Sequence, residues 1–287
     1  MKVYVASSTL FLLAASTSHA ALIAYDGFNT TSADGENVAN ASNSANLSGL
    51  DYGWADHYMW VSNGGSGVLV QSPSLSVNGY TSTGKTSAAD GTNYGVYNRS
   101  FSTDVLNSWQ SQIDTGGQIW VSFFIAQNTP YSASGSAGFR LNGTSGTNNL
   151  FVGAYTWSDK YWSYGDGTIY GVGQSGLSTK IERNATVTKM TVCLDYRDTG
   201  KTYVSAYLNQ GSDTLGSMVG SQENEVASVL TFDGIGLVST AANSFSIDEI
   251  RIGTSVSDVT SIPEPSTYAL AVGAGLIGLV AIRRKRQ

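Results

Sequence analysis

The chain has 287 residues, of which 15 are basic and 21 acidic, so its net charge is −6. Hydrophobic residues make up 41% of it and aromatic residues 11%, a composition that excludes an intrinsically disordered chain. The acidic balance excludes nucleic acid as an expected partner, because phosphate groups would repel the protein. With a single cysteine, Cys193, the fold has no internal disulfide.

The first residues of the sequence form an export signal. Lys2 supplies a positive charge, residues 3–15 are largely apolar, and Ser18-His19-Ala20 places small residues two apart. This pattern predicts a secretory signal peptide over residues 1–20, cut between Ala20 and Ala21 by signal peptidase. A cytosolic enzyme is therefore excluded.

The region that follows, residues 21–257, shows the alternation of short β-strands and no helical periodicity. Strands are predicted at Leu22–Tyr25, Gln118–Ala126, around Phe139 and Leu141, and at Leu150–Tyr155, Val187–Tyr196, Tyr203–Leu208, Thr231–Val238 and Ser244–Ile252. The Gln118–Ala126 segment is apolar on both faces, which predicts a central strand covered on both sides. Thr30–Gly49 is rich in Ser, Asn and Gly and is typical of a long surface loop. Short strands separated by Gly, Asn and Asp turns indicate an all-β sandwich or jelly roll.

The last strand carries two adjacent carboxylates. In Ser244–Ile252 the apolar positions change parity at Asp248-Glu249, which predicts a bulge. A structural salt bridge from this pair to Arg251 or Arg140 is favoured over a catalytic role.

No other group of residues forms a recognisable catalytic constellation. Glycosidases need two carboxylates flanking the scissile bond, but Glu223 and Glu225 lie in a polar segment that predicts a solvated loop. His57 is the only histidine that would remain after export, and no Gly-x-Ser-x-Gly segment supplies a nucleophile for it. Cys193 sits in an apolar run and is predicted to be a buried structural thiol. We therefore expect a protein without enzymatic activity and assign no catalytic residue.

Aspartates in predicted loops leave calcium as the one metal that the protein could bind. Asp-Gly pairs begin at Asp26, Asp34, Asp90, Asp166 and Asp233. Loop carboxylates and carbonyl groups suit calcium, although Asp-Gly is also a common turn dipeptide, which is the favoured interpretation. We expect no cofactor, leave calcium open, and name no ligands.

Aromatic residues are the best candidates for a binding surface. They cluster at residues 52–60 and 155–164, among Ser, Asp and Gly. Exposed rings can stack on the apolar faces of sugars, although packing of these rings between loop and sheet is the commoner outcome. The carbohydrate-binding candidates are Trp54, Trp60, Trp157 and Trp162.

The last part of the sequence has three segments. Pro263 and Pro265 bracket Glu264 in a strip that proline keeps extended. Residues 266–282 are 17 uncharged residues, at the lower edge of the roughly 17–25 that a membrane-spanning helix needs. The basic residues Arg283, Arg284, Lys285 and Arg286 follow, and the positive-inside rule keeps them cytoplasmic. From the residues alone, the tail is a membrane anchor or a lipid-anchor signal, although the latter usually ends in its apolar run.

The order of these segments resembles the PEP-CTERM sorting signal of bacterial envelope proteins. The resemblance covers residues 262–287 and implies cutting near Pro263-Glu264-Pro265 by a membrane protease, exosortase. Processing at both ends would remove Lys2, four basic tail residues and Glu264. The product would keep 10 basic and 20 acidic residues, a net charge near −10.

Three segments of the middle region resemble PEP-CTERM proteins with a concanavalin A-like, laminin-G-like sandwich. They are Ala24-Tyr25-Asp26-Gly27-Phe28, Ile119-Trp120-Val121-Ser122-Phe123 and residues 245–254. The resemblance covers about residues 21–257 and implies two antiparallel sheets, one of them concave, with the first strand beside the last. The chain then divides into a signal peptide (1–20), the sandwich (21–257), a linker with the Pro-Glu-Pro motif (258–265), and a transmembrane helix with basic tail (266–287).

Together these features predict an exported, non-enzymatic protein of the cell surface or extracellular matrix of a Gram-negative bacterium. It would pass through the inner membrane, be processed by an exosortase, and bind exopolysaccharide. Two alternatives stay open, namely a secreted polysaccharide hydrolase or lyase on the same fold, and a structural coat or filament subunit.

Overall fold

The described part of the chain consists mainly of β-strands, with two helices. The computed structural model describes residues 22–28, 30–34, 52–55, 61–62, 68–77, 80–81, 86–89, 95–127, 137–144, 149–154, 161–166, 177–182, 184–219, 224–239 and 245–260. In chain order the described elements are Leu22–Asp26 (β1), Val61–Ser62 (β2), Val68–Gln71 (β3), Ser76–Val77 (β4), Tyr80–Thr81 (β5), Thr86–Ala89 (β6), Gly95–Ser100 (β7), Thr103–Thr115 (α1), Gln118–Gln127 (β8), Ala137–Gly143 (β9), Leu150–Ala154 (β10), Tyr161–Asp166 (β11), Leu177–Glu182 (β12), Thr188–Asp195 (β13), Thr202–Gln210 (β14), Ser217–Met218 (β15), Asn224–Val226 (β16), Phe232–Ser239 (β17), Phe245–Gly253 (β18) and Val256–Thr260 (α2).

Two large antiparallel sheets hold almost all of these strands. The nine-stranded sheet has the order β15-β14-β13-β8-β18-β6-β3, with β1 beside β18 and β16 beside β14. The seven-stranded sheet has the order β12-β11-β10-β9-β17-β7-β2. The strands β4 and β5 form a separate hairpin. The predicted all-β sandwich of two antiparallel sheets is confirmed, and it is consistent with a jelly roll.

The core lies between the two sheets and follows from the alternation of the strands. On β8, Ile119, Val121 and Phe123 are each at most 1% exposed and belong to one apolar cluster with residues of the other sheet. Phe123 meets Phe139 of β9 across the core with ring centroids 4.7 Å apart. Burying a side chain of this size stabilises the fold by about 1.5–3 kcal/mol.

The central position of β8 is also as predicted. Its outer face carries Trp120 and Phe124, which are 8% and 1% exposed. Cys193 of β13 is buried beside Trp120 in a second, smaller apolar cluster, so its predicted structural role is confirmed. The nine-stranded sheet is therefore covered on both faces along its middle strands.

The first and last strands pair as the resemblance implies. Residues Leu22 and Tyr25 of β1 lie opposite Gly253 and Arg251 of β18. The register between β18 and β8 shifts between Asp248 and Arg251, and Glu249 has a φ of 54°. The predicted bulge is thus confirmed, and it turns three charged side chains of β18 to the outer face.

The helix α1 was not predicted from the sequence. Ser102 accepts a hydrogen bond from Val105 at the start of the helix, and Gly116 ends it in the left-handed conformation. Only Val105 and Trp109 of this polar segment are buried, so its apolar stripe is narrow. Trp109 packs on Phe101 at 5.5 Å and holds the helix against the end of the sandwich.

The short helix α2 extends the sandwich past its predicted end. It packs on β18 and β8, and Val259 is fully buried. Residues 258–260, which the sequence assigns to a linker, form the end of this helix in the structure. Among the described residues no helix is long and apolar enough to cross a membrane, and residues 266–282 lie outside them.

Candidate functional site

Trp54 lies in the core and not on the surface. It is 4% exposed, its Nε1 donates to the Tyr25 carbonyl at 2.9 Å, and its ring stacks on Phe101 at 5.7 Å. The guanidinium of Arg99 lies 4.8 Å from the ring centroid. The ring is therefore buried and packed on Phe101, and nothing in its surroundings supports the predicted role of Trp54 in carbohydrate binding.

The other predicted site residues stay predictions. Trp60, Trp157, His57, Ala20, Ala21 and residues 261–287 lie outside the described residues, as does Glu223. Trp162 lies on β11, but the structure does not describe its side chain. The sorting and basic segments are thus known here by sequence alone.

Glu225 is engaged in an exposed ion pair. It lies on β16, which pairs with β14, so the predicted loop is a short strand at this point. Its Oε1 is 2.6 Å from Lys201 Nζ, and both side chains are more than 40% exposed. The hydrogen bond that Lys201 donates to Glu225 raises the pKa of Lys201. An open pair of this kind has the character of a solvated surface contact.

Glu249 and Asp248 have structural roles. Glu249 Oε2 is 3.3 Å from Arg251 Nη2, and both of its oxygens accept from the Tyr25 hydroxyl at 3.0 Å. The predicted salt bridge to Arg251 is confirmed. Burial, and then the charge of Glu249, raises the pKa of Asp248 well above its usual range. Asp248 accepts from the backbone N–H groups of Leu75 and Glu249 at 2.9 and 2.8 Å, so it braces the bulge.

The outer face of the seven-stranded sheet carries a polar cluster that the sequence did not reveal. On the adjacent strands β7, β17 and β9, the apolar residues Tyr97, Phe139, Leu141, Ile235 and Leu237 point into the core. Side chains alternate across a strand. The intervening residues Asn98, Arg140 and Asn142 therefore meet on the opposite face, and we call them the Asn-Arg-Asn cluster.

Direct hydrogen bonds join the three side chains. Arg140 donates from Nε to Asn142 Oδ1 at 2.6 Å and from Nη2 to Asn98 Oδ1 at 2.8 Å. Asn142 Nδ2 donates to Asn98 Oδ1 at 3.0 Å and to the Ile235 carbonyl at 2.8 Å. These hydrogen bonds preorganise the cluster. All three residues are half-buried, so the cluster still reaches solvent.

A glycine leaves room for this arrangement. A Cβ at Gly236 would stand 3.0 Å from Asn98 Oδ1, 3.1 Å from Asn142 Oδ1 and 3.2 Å from Arg140 Nε. Within the described part of the chain, Asn98 Nδ2 has no acceptor, so it can donate to a ligand. A guanidinium and a carboxamide donor side by side suit the hydroxyl or carboxylate oxygens of a sugar.

A cleft of about 450 Å³ lies at one end of the sandwich. It is formed by the end of α1 and the turn between β13 and β14, and includes Asp114, Arg197, Asp198 and Lys201. Tyr203 donates to Asp198 at 2.6 Å, and the Arg197 guanidinium lies 4.1 Å from the Tyr203 ring centroid. Tyr203 thus contacts both Asp198 and Arg197, and Lys201 is paired with Glu225.

The described residues contain no group of three or more His, Cys, Asp or Glu side chains that could hold a metal ion. Asp26 of the first Asp-Gly pair forms a buried salt bridge with Arg99 and accepts from the Phe28 N–H at 2.9 Å. These contacts make it a structural residue of the Trp54 region.

Comparison with known proteins identifies the C-terminal segment. Residues 261–286 match the PEP-CTERM protein-sorting motif. The chain therefore carries an exosortase-type sorting signal, which supports export and a surface or extracellular destination. No curated protein matches the sequence.

Several solved structures are similar in part. They include a protein of unknown function from Shewanella oneidensis MR-1 (14% identity, TM-score 0.44, covering 74% of this chain and 88% of that chain). Cellulose induced protein Cip1 is 11% identical with a TM-score of 0.43 (70% of this chain and 93% of that chain). A GH131 β-glucanase catalytic domain from Podospora anserina is 14% identical with a TM-score of 0.39 (68% and 82%). At these scores the likeness carries no argument about activity or ligand.

Proposed function

We propose that the protein is a non-catalytic component of the cell surface or extracellular matrix that binds exopolysaccharide after exosortase processing. The sorting motif at residues 261–286 carries this proposal, because it directs a protein to the envelope. The mature domain, at a net charge near −10, is also suited to a soluble extracellular environment.

The Asn-Arg-Asn cluster is the element that supports polysaccharide binding. It offers a cation and an amide donor on a sheet face, held in place by four hydrogen bonds. Such a surface can donate hydrogen bonds from Arg140 and Asn98 to the hydroxyl oxygens of a polysaccharide. The buried network around Glu249 and the exposed Lys201–Glu225 pair offer no comparable arrangement for acid–base catalysis.

Binding to the exopolysaccharide of the producing cells tests this proposal. The wild-type protein and Arg140→Met are compared in pull-down and titration experiments, with Lys201→Met as a control that removes the same charge from the end cleft. Because a hydrogen bond to a charged group contributes about 1.5–3 kcal/mol, Arg140→Met should weaken binding roughly 10- to 100-fold. Lys201→Met should bind normally. A clean absence of wild-type binding would overturn the polysaccharide part and leave the sorting part intact.

A direct activity assay distinguishes the enzymatic alternative from the non-catalytic proposal. Reducing ends released from a glucan, galactan or alginate would contradict the non-catalytic proposal. If activity were found, its loss in Glu225→Gln would place the site. Assembly of the purified protein without any ligand would instead favour a coat or filament subunit.

A further inference from the structure

The helix α2 is fixed to the outer face of the nine-stranded sheet by the carbonyl group of Val259. The Val259 carbonyl accepts from Lys189 Nζ at 2.6 Å, from Ser122 Oγ at 3.0 Å and from Arg251 Nη1 at 3.4 Å. These donors come from three neighbouring strands, β13, β8 and β18. The chain is therefore held in one place directly before the sorting segment begins.

The entry to α2 is fixed as well. Asp258 Oδ2 accepts from the backbone N–H groups of Thr254 and Ser255 at 2.7 and 2.8 Å. Asp258 is 2% exposed, and its side chain lies where a Cβ on Gly253 would otherwise clash at 2.2 Å. Asp258 thus fixes the turn from β18 into α2, and the Val259 carbonyl attaches the end of α2 to the sheet.

A buried ionic network supports this attachment. Asp213 Oδ1 is 2.5 Å from Lys189 Nζ and 2.9 Å from Arg251 Nη1. Burial lowers the pKa of Lys189 to about 8, against the opposing effect of Asp213. The side chains of Lys189, Arg251, Asp213 and Glu249 are at most 11% exposed, so this face presents little of its charge to the surroundings.

The tether to the membrane is short. The chain takes eight Cα-to-Cα steps from Thr260 to Tyr268, where the apolar run begins. Fully extended, they span at most about 29 Å. A globular domain of about 240 residues has a radius of gyration near 18 Å, which corresponds to a sphere about 46 Å across. While α2 stays attached, the tether is too short to pass around the domain and bring the opposite sheet to the bilayer.

Two exposed apolar side chains lie near α2. Of the three large hydrophobic side chains that the described residues expose, two lie here, namely Tyr52 and Met218, each 40% exposed. Tyr52 pairs with Tyr25 of β1, and Met218 lies opposite Tyr207, which packs in the Val259 cluster. Burial, and then the nearby charge of Asp258, raises the pKa of Tyr52 to about 12.

The half-buried side chains of Leu22, Leu215 and Val256 also pack against the apolar cluster that contains Val259. Tyrosine is enriched at the membrane–water interface, and the aliphatic side chains of an interfacial surface insert at the boundary between headgroups and acyl chains. A face that shows little charge also suits an acidic domain close to anionic lipids, which repel its other surfaces.

We propose that the α2 face, defined by α2, Tyr52 and Met218, lies against the lipid bilayer in the unprocessed precursor. The seven-stranded sheet with the Asn-Arg-Asn cluster then faces outward, where polysaccharide can reach it before the chain is cut. This orientation rests on the proposed function, since it requires the apolar tail to be inserted.

Fluorescence quenching by lipids tests the orientation in the full-length protein. In a Cys193→Ala background, a fluorophore is attached to Met218→Cys or Ser257→Cys on the α2 face, or to Ser100→Cys. Ser100 is exposed and shares the outer face of β7 with Asn98. The protein is reconstituted into phosphatidylethanolamine and phosphatidylglycerol vesicles that contain a phosphatidylcholine with a nitroxide headgroup. Carbonate extraction measures insertion in the same samples.

The labels at Met218→Cys and Ser257→Cys should lose most of their fluorescence, while the label at Ser100→Cys keeps most of its own. Equal quenching at the three positions, or stronger quenching at Ser100→Cys, in carbonate-resistant protein would overturn the orientation and leave the sorting function standing. Release of the protein by carbonate would overturn the inserted tail, and the orientation with it.

Discussion

Removal of the Asp258 carboxylate should destabilise the turn from β18 into α2. The change Asp258→Ala deletes the acceptor of the Thr254 and Ser255 N–H groups, which lie 2.7 and 2.8 Å from Oδ2. Hydrogen bonds to a charged group contribute about 1.5–3 kcal/mol each, and loss of a capping side chain typically costs about 1 kcal/mol. Within the described residues Asp258 Oδ1 is buried without a hydrogen-bond partner, which lowers the net gain. We therefore expect a loss of about 2–3 kcal/mol, below the plain sum of the two hydrogen bonds.

Urea unfolding of the full-length protein in mild detergent measures this loss. Trp120 packs in the same cluster as Val259, so tryptophan fluorescence also reports local release of α2. The matched control is Ser257→Ala, because Ser257 is an exposed neighbour on the same helix and should change stability by less than about 0.5 kcal/mol. If Asp258→Ala were as stable as Ser257→Ala, the attachment of α2 described above would be refuted.

Three further predictions concern the core, the buried cation and the tail. Trp54→Ala should destabilise the domain by about 3–5 kcal/mol, because it empties a buried site, whereas Met218→Ala should cost far less in the same unfolding assay. Between pH 8 and 10.5 Lys189 is protonated in the unfolded chain but not in the folded protein, so the free energy of unfolding should rise with pH by up to about 3 kcal/mol. Lys189→Met should lack that rise. Equal pH profiles of the two proteins would show that the pKa of Lys189 in the folded protein is ordinary. Replacing Glu264 or deleting Arg283–Arg286 should leave the protein in the membrane fraction, and normal release of both variants would refute the sorting interpretation.

Much of the fold could be predicted because apolar residues recur at every second position along its strands. The Gln118–Ala126 and Val187–Tyr196 segments are strands β8 and β13 in the structure, since branched and aromatic residues recur at every second position. The parity change at Asp248-Glu249 also marked the bulge correctly. Local patterns of this kind survive in the fold because each strand buries at least one face.

The helix α1 was missed because its stabilising signals are few. Only Val105 and Trp109 are buried along its 13 residues, and the rest of the segment is polar. The signals that could have revealed it are the capping residue Ser102 and the glycine at 116, together with the four-residue spacing of the two buried side chains.

The candidate site depended on information that one segment of sequence does not contain. Asn98 and Arg140 are 42 residues apart and meet only because β7 and β9 both pair with β17 in a defined register. Trp54 shows the opposite problem. A tryptophan among polar residues suggested an exposed ring, but the Tyr25 carbonyl and the Phe101 ring draw it into the core.

The central claim is that the chain is exported and cut at its sorting signal. The intact mass of the protein recovered from outside the cells tests it most directly. We predict a species that begins at Ala21 and ends between Thr260 and the apolar run, with α2 retained. A released protein that still extends to Gln287 would contradict the account.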